Sequence, residues 1–409
     1  MKRREDFFIH TLPNGVRCVL KQVKSAVCYC SMTIGAGSRD ELPGEIGIAH
    51  LLEHTLFKGT SKRKAYQVNC RLENLGGEIN AFTTKEETVV HATVLKGDFR
   101  KAVELIDDII FHSTFPQTEV DKEKEVVVDE INMYKDSPEE RIYDDFEDLL
   151  FAGSQLGHNI LGSKRSIAKL GSEDIRRFVE RNYTTDQMVF AAIGNISPKN
   201  FVAAVERYFG QEPATKRQHQ RVAPSEVERF ERSISHPNHH QVRCVMGARA
   251  YSLSNRKRLA LILMTNILGG PSAASRLNVA MRERNALTYC VEALYTPLSD
   301  CGMFTIYYSC DRDKQEQCRR VIAAELDRIT SEPLSQRQLS IAKRQFIGQF
   351  ATSSENNEAY MLGVGKSLLV YGEVDSSEEV YRKIGEITPE DIMEVAREIL
   401  PSLSSLTYV

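Results

Sequence analysis

Two histidines and a glutamate lie close together in the segment His50-Leu-Leu-Glu53-His54. In an α-helix, residues four apart lie on the same face, so His50 and His54 can point at one metal ion, with Glu53 beside them as a base. Neutral imidazole is a preferred zinc ligand, and two ligands on one turn leave room for a third ligand and a water molecule. The pattern therefore predicts a zinc site with hydrolytic chemistry. The alternative is an amphipathic helix with two exposed histidines.

A second helix, predicted from Pro116 to about Lys135, carries several carboxylates. Glu123 and Glu130 are two turns apart and so share a face. Glu130 is separated by Asp129 from a run of three valines and precedes an isoleucine, a largely apolar setting in which a carboxylate without a role is unexpected. Glu130 is therefore a candidate for the third ligand, and Glu125 is interpreted as part of a solvated surface.

This combination resembles the signature of the pitrilysin/insulinase family of zinc peptidases (M16), in particular its two-domain processing peptidases. The matching features are the inverted His-x-x-Glu-His helix and a glutamate, Glu130, that follows 76 positions after His54. The resemblance implies that His50, His54 and Glu130 bind Zn²⁺ and that Glu53 is the general base. It also implies a supporting role for Glu123 next to the ligands. Manganese or cobalt could occupy the same set of ligands.

Further similarity covers nearly the whole chain. The residues from Glu78 to Val94 alternate as a strand. Its first part looks like the family's edge strand beside the active-site cleft. The resemblance implies that a peptide substrate adds there as an extra strand, in contact with Asn80, Ala81 and Phe82.

In the second half of the chain, Arg282 and Tyr289 have the spacing of seven that is typical of an arginine and tyrosine pair in this family. The resemblance implies that they are catalytic and that Tyr289 stabilises the developing oxyanion. Without it, both residues would be assigned to packing at a helix end. His91 departs from the family pattern, since relatives often carry tyrosine at that position.

The elements that must position these residues form two similar halves. Each half runs strands, helix, strands, helices, strand, and the segment from Ser172 has a counterpart 217 positions later, from Pro389. The predicted fold is α+β, with two homologous sheet-plus-helix domains that face each other as a clamshell. We predict a catalytic zinc-binding domain over residues 1–210, a linker over 211–229 and a duplicated domain without the metal motif over 230–409.

The composition is that of a folded protein, with 42% hydrophobic and 27% charged residues among 409. A net charge of −3 gives no indication of a nucleic-acid partner, and no run of 18 apolar residues predicts a membrane span. The nine cysteines contain no Cys-x-x-Cys, and most lie in apolar stretches, as buried thiols in a reducing compartment do. We therefore expect a cytoplasmic protein.

The predicted function is that of a zinc-dependent endopeptidase, which hydrolyses peptides or unfolded segments inside a closed chamber. Family members of about this length commonly pair, so a homodimer is expected. The alternative is a catalytically silent scaffold, or a partner subunit of a heteromeric peptidase. Such subunits usually lose the histidine or glutamate positions that this chain retains. The histidines between His236 and His240 are interpreted as a surface loop. The natural substrate and an exopeptidase activity both stay open.

Overall fold

The computed structural model of the chain describes residues 2–4, 6–235 and 241–409. The strands are β1 (Lys2–Arg4), β2 (Phe7–Thr11), β3 (Arg17–Gln22), β4 (Val27–Ile34), β5 (Glu78–Thr83), β6 (Thr88–Leu95), β7 (Met188–Gly194), β8 (Glu231–Ile234), β9 (Gln241–Ala250), β10 (Cys290–Pro297), β11 (Gly302–Asp311) and β12 (Ser404–Tyr408). The α-helices are α1 (Ile48–Leu56), α2 (Ala65–Glu73), α3 (Phe99–His112), α4 (Gln117–Lys135), α5 (Pro138–Leu150), α6 (Lys164–Ile167), α7 (Ser172–Asn182), α8 (Pro198–Arg207), α9 (Arg258–Gly269), α10 (Gln315–Ser331), α11 (Gln336–Ser354), α12 (Asn357–Tyr371), α13 (Ser377–Gly385) and α14 (Pro389–Ile399).

The chain folds into two compact units that are not contiguous in sequence. Unit 1 comprises 1–135, 158–222 and 353–376, and unit 2 comprises 136–157, 223–352 and 377–409. The contiguous division predicted from the sequence therefore differs from the structure, because each half of the chain contributes one segment to the other unit. Unit 1 also extends to Val222, inside the predicted linker.

In unit 1, seven strands form a mixed sheet in the order β1-β2-β3-β7-β4-β6-β5. β3 and β7 pair in parallel, and the other neighbours are antiparallel. One face packs against α1, α3 and α8, and the other face packs against α12 through Met361, Val364 and Leu368. The central strand β7 is buried along its whole length, as expected for a strand covered on both faces.

In unit 2, five strands form a sheet in the order β10-β11-β9-β12-β8. α9, α10 and α14 pack on one face, and α5 packs on the other through Ile142 and Phe146. These contacts explain why the two units exchange segments. α5 comes from the first half of the chain, but its apolar face is buried on the sheet of unit 2. α12 comes from the second half, but its apolar face is buried on the sheet of unit 1.

The two sheets share one topology. The order β3-β7-β4-β6-β5 in unit 1 corresponds strand for strand to β8-β12-β9-β11-β10 in unit 2. In both, the first pair is parallel and the next three pairs are antiparallel. This correspondence supports the duplicated plan that the sequence predicts. The fold is mixed α/β with two sheets. Within the described ranges, none of the helices is long and apolar enough to cross a membrane.

Candidate metal centre

Three side chains from two helices converge at one point of unit 1. His50 Nε2 lies 3.6 Å and His54 Nε2 lies 3.5 Å from Glu130 Oε2. All three donor atoms lie within 4.8 Å of one another. Two donors bound tetrahedrally to one zinc ion are about 3.4 Å apart, given zinc–ligand bonds of about 2.1 Å. The donor types and their spacing therefore fit a single zinc ion.

His54 is oriented by a carboxylate from α4. Its Nδ1 lies 3.2 Å from Glu123 Oε2, and Lys58 Nζ lies 2.7 Å from the other oxygen of Glu123. When Nδ1 carries the ring proton and donates a hydrogen bond to Glu123, the Nε2 lone pair is left free to bind the ion. The structure therefore places Glu123 beside His54, on the side of the ring away from Nε2. Lys58 was missed, although its position four residues after His54 is a signal that it lies nearby.

His50 is held by packing in the core. Its side chain is buried, its ring centroid lies 4.7 Å from that of His54, and its Nδ1 has no hydrogen-bond partner among the described residues. Burial, with a smaller contribution from the charge of His54, lowers the pKa of His50 to about 4. The ring is therefore neutral at neutral pH, which is the form that binds a metal ion. The Glu130 side chain is 42% exposed, so the centre is open to solvent on that side.

Glu53, on the same helix, has the properties of a base. Burial raises its pKa above the ordinary value, and the charge of Glu130 adds to this shift, while contacts with Thr83 and His54 oppose it. A carboxylate with a raised pKa accepts a proton more readily than an ordinary one. Thr83 is the last residue of β5, so Glu53 lies beside the end of that strand.

The start of α1 is fixed by a buried carboxylate that sequence analysis missed. Glu41 accepts hydrogen bonds from the backbone N–H groups of Gly47 and Ala49, both at 3.0 Å, and lies 2.9 Å from His158 Nε2. Gly47 has a φ of 94°, and a Cβ there would lie 2.6 Å from Ile167 Cδ1. The helix that carries His50 therefore begins at a glycine held by Glu41.

The predicted substrate-binding residues lie on an edge strand. β5 ends the sheet and pairs only with β6 among the described strands, so one of its sides is free to accept a further strand. Asn80 is exposed and pairs with His91, whose Nδ1 lies 2.9 Å from Glu358 on α12. The single strand predicted from Glu78 to Val94 is wrong, because residues 84–87 form a turn between β5 and β6.

Arg282 and Tyr289 both belong to unit 2. Arg282 lies in a π-helical turn, Asn278–Glu283, and Tyr289 directly precedes β10. Both line the same cavity, and the Tyr289 side chain is among the most exposed large side chains, at 88%. An aromatic hydroxyl this exposed has no packing role, so the packing interpretation does not apply to Tyr289. The histidines between His236 and His240 lie outside the described residues.

Comparisons with known proteins give a consistent result. Residues 17–164 match the family described as insulinase (peptidase family M16), and residues 169–346 match the family described as peptidase M16 inactive domain. An uncharacterized zinc protease of Bacillus subtilis is 32% identical over 404 residues, which cover 98% of this chain and 97% of that protein. An uncharacterized zinc protease of Mycobacterium tuberculosis is 33% identical over 398 residues, which cover 95% and 90%.

Solved structures share the fold. A protease from Helicobacter pylori superposes with a TM-score of 0.90 at 20% identity, covering 98% of this chain and 99% of that chain. A peptidase M16 inactive domain from Pseudomonas fluorescens also superposes with a TM-score of 0.90, at 19% identity, covering 98% of each chain.

Proposed function

This chain belongs to the insulinase family of peptidases, family M16, with zinc as its cofactor, and from this premise we propose that it is an endopeptidase acting on peptides or unfolded segments inside a closed chamber. The resemblance predicted from the sequence is confirmed. The observation that carries the proposal is the convergence of His50, His54 and Glu130, with Glu53 on the same helix.

His50, His54 and Glu130 would hold the zinc ion, and Glu123 keeps His54 in the tautomer whose Nε2 is free. When bound, zinc supplies a Lewis acid that polarises a carbonyl group and makes water more acidic. The low pKa of His50 and the partial exposure of Glu130 support this assignment, since one ligand is already neutral and the site is accessible.

Glu53 would act as the general base and then as the acid. A carboxylate oxygen of Glu53 takes a proton from the attacking water and passes it to the amine nitrogen that leaves. The raised pKa of Glu53 supports this role, because the proton must be accepted and then released in one cycle.

The free side of β5 would bind the substrate as an added strand, with backbone hydrogen bonds to the segment that contains Asn80, Ala81 and Phe82. This mode requires an extended chain and therefore favours peptides and unfolded segments over folded proteins. Tyr289 would donate a hydrogen bond to the developing oxyanion, and Arg282 would assist in the same region. Arg282 and Tyr289 line one cavity of unit 2, and the exposure of Tyr289 leaves its hydroxyl accessible for this role.

We further propose a homodimer in the cytoplasm, without a dedicated second subunit. The chain keeps all four residues of the motif together with Arg282 and Tyr289, which a silent scaffold or a dependent partner subunit would not need. The nine cysteines are all free thiols, which is in keeping with a reducing compartment.

The proposal is tested with a quenched-fluorescent peptide that is acetylated at one end and amidated at the other. Blocked ends exclude exopeptidases, so cleavage requires an endopeptidase. We expect the purified chain to cleave this peptide, to lose activity with a chelator and to regain it with zinc. It should also cleave a reduced and alkylated protein faster than the native form of that protein. Zinc-loaded protein that cleaves neither substrate would favour the silent scaffold.

A further inference from the structure

A second group of metal-ligating side chains lies in unit 1, on elements that take no part in the centre described above. Asp107 and His112 belong to α3, and Glu212 directly follows the short helical turn Phe209–Gln211. Asp107 Oδ2 lies 3.8 Å from His112 Nε2, and His112 Nε2 lies 3.5 Å from Glu212 Oε1. The three donor atoms all lie within 4.8 Å of one another.

The Asp107 carboxylate is buried without a hydrogen bond from any residue that the structure describes. Its side chain is only 6% exposed, and neither oxygen accepts a hydrogen bond from any residue that the structure describes. Apart from His112, no basic side chain of the described ranges lies within 4.0 Å of it, and Lys62 acts on it only from a longer distance. Buried carboxylates normally have a partner, because an unpaired buried charge is strongly destabilising.

The neighbouring residue provides the contrast. Asp108 is equally buried, and its Oδ1 likewise has no partner among the described residues, but its Oδ2 accepts hydrogen bonds from the Thr60 hydroxyl and from the Arg63 guanidinium. A carboxylate that serves packing alone is thus neutralised by protein groups in this helix. Asp107, one position earlier, accepts no such hydrogen bond from the residues that the structure describes. The ligand atoms that lie close to its carboxylate come from His112 and Glu212.

The spacing matches that of the first centre. Contacts of 3.8 and 3.5 Å are longer than direct hydrogen bonds and correspond to two ligands of one ion, like the 3.6 and 3.5 Å that separate Glu130 from His50 and His54. One imidazole and two carboxylates suit zinc or manganese, and two negative charges would balance a divalent cation.

We propose that Asp107, His112 and Glu212 bind a second divalent metal ion, separate from the catalytic zinc. This ion ties the C-terminal end of α3 to the segment that follows α8. That segment is also held by Asn14, whose Nδ2 donates hydrogen bonds to the carbonyl groups of Phe209 and Glu212. The ion therefore stabilises unit 1, since a ligand that binds only the folded state raises its stability.

The test uses the full chain after dialysis against a metal buffer that fixes the concentration of free Zn²⁺. We expect about two zinc ions per chain in the wild type and about one in Glu212→Gln, with similar peptide cleavage by both. His54→Gln should also retain about one ion, held at the second site, and the double variant should hold none. Asp121→Asn, which alters an exposed carboxylate on α4, is the matched control and should keep both ions.

Two further readouts locate the ion and its effect. Anomalous scattering at the zinc edge from crystals should give a peak between Asp107, His112 and Glu212. Added zinc should raise the unfolding temperature of His54→Gln, and this rise should disappear when Glu212→Gln is added. Glu212 lies in a loop, so its amide variant leaves α3 intact. The inference is overturned if the wild type binds a single ion at saturation, or if Glu212→Gln leaves the second ion in place. Neither result would affect the catalytic proposal, which depends on other residues.

Discussion

Glu123 Oε2 lies 3.2 Å from His54 Nδ1, while Lys58 is bound to the other oxygen of the same carboxylate. We predict that Glu123→Ala weakens zinc binding by about 10- to 100-fold, because His54 loses the group that fixes its tautomer and ring orientation. Glu123→Gln should have a smaller effect, since its amide oxygen can still accept a hydrogen bond from the Nδ1–H group of His54. Competition with a zinc chelator measures both constants. Equal zinc affinity in wild type and Glu123→Ala would contradict this role.

Glu41 accepts hydrogen bonds from the backbone N–H groups of Gly47 and Ala49 at the start of the helix that carries His50. Glu41→Ala should lower the free energy of unfolding by about 1–2 kcal/mol, the usual cost of losing a helix N-terminal acceptor. It should also weaken zinc binding, because the first turn of α1 carries His50. Urea unfolding and the same chelator competition measure the two effects. Glu41→Gln, which keeps one acceptor oxygen, is the control and should lie between wild type and Glu41→Ala.

Asp40 makes the stability of the protein depend on pH. Burial alone raises the pKa of Asp40. The nearby His219, whose Nε2 lies 3.7 Å from Asp40 Oδ1, the hydrogen bonds from Arg221 and the charges of Arg221 and Arg217 together lower it well below its usual range. An aspartate whose pKa is lower in the folded protein stabilises the fold at pH values above its pKa in the unfolded chain, which is about 4. This stabilisation is lost as the pH falls towards the lower pKa of Asp40 in the folded protein.

Asp40→Asn should therefore cost about 3 kcal/mol at neutral pH, because it removes the buried carboxylate that Arg217 and Arg221 share and leaves Arg221 only its longer contact with Glu86. The difference from wild type should shrink as the pH falls below about 4. Urea unfolding of metal-free protein at several pH values measures this, with Asp327→Asn, which alters an exposed carboxylate on α10, as the control. A difference that does not change with pH would contradict the assignment.

Tyr289 is proposed to donate a hydrogen bond to the oxyanion. Tyr289→Phe should lower kcat by about 100- to 1,000-fold, the typical cost of removing one oxyanion donor. Zinc content should not change, because the residue belongs to unit 2 and binds no metal. Tyr66→Phe, which removes another exposed hydroxyl, is the control and should be fully active. A fully active Tyr289→Phe would show that its hydroxyl takes no part in the reaction.

The sequence predicts the parts of this site that local geometry determines. The positions of His50, Glu53 and His54 follow from helix periodicity, and the seven-residue spacing of Glu123 and Glu130 follows in the same way. That α1 and α4 converge could be expected only from the resemblance, since the spacing of residues within α1 does not indicate which other helix packs against α1.

The remaining features depend on contacts between distant segments. Glu41 and His158 are 117 positions apart, and no local pattern connects them. The turn at residues 84–87 lacks Gly, Pro and Asn, so the alternation of β5 and β6 continues through it without a break. The exchange of α5 and α12 between the units was not predicted because an apolar helix face does not identify the sheet that it covers.

The central claim is that Glu53 is the base at a zinc site, and it is tested most directly by Glu53→Gln with Glu125→Gln as an exposed control. Zinc content and cleavage of the end-blocked peptide are measured side by side. We predict equal zinc content in all three proteins, and a cleavage rate at least about 100-fold lower in Glu53→Gln alone. A Glu53→Gln protein that holds zinc and cleaves at the wild-type rate would contradict the account.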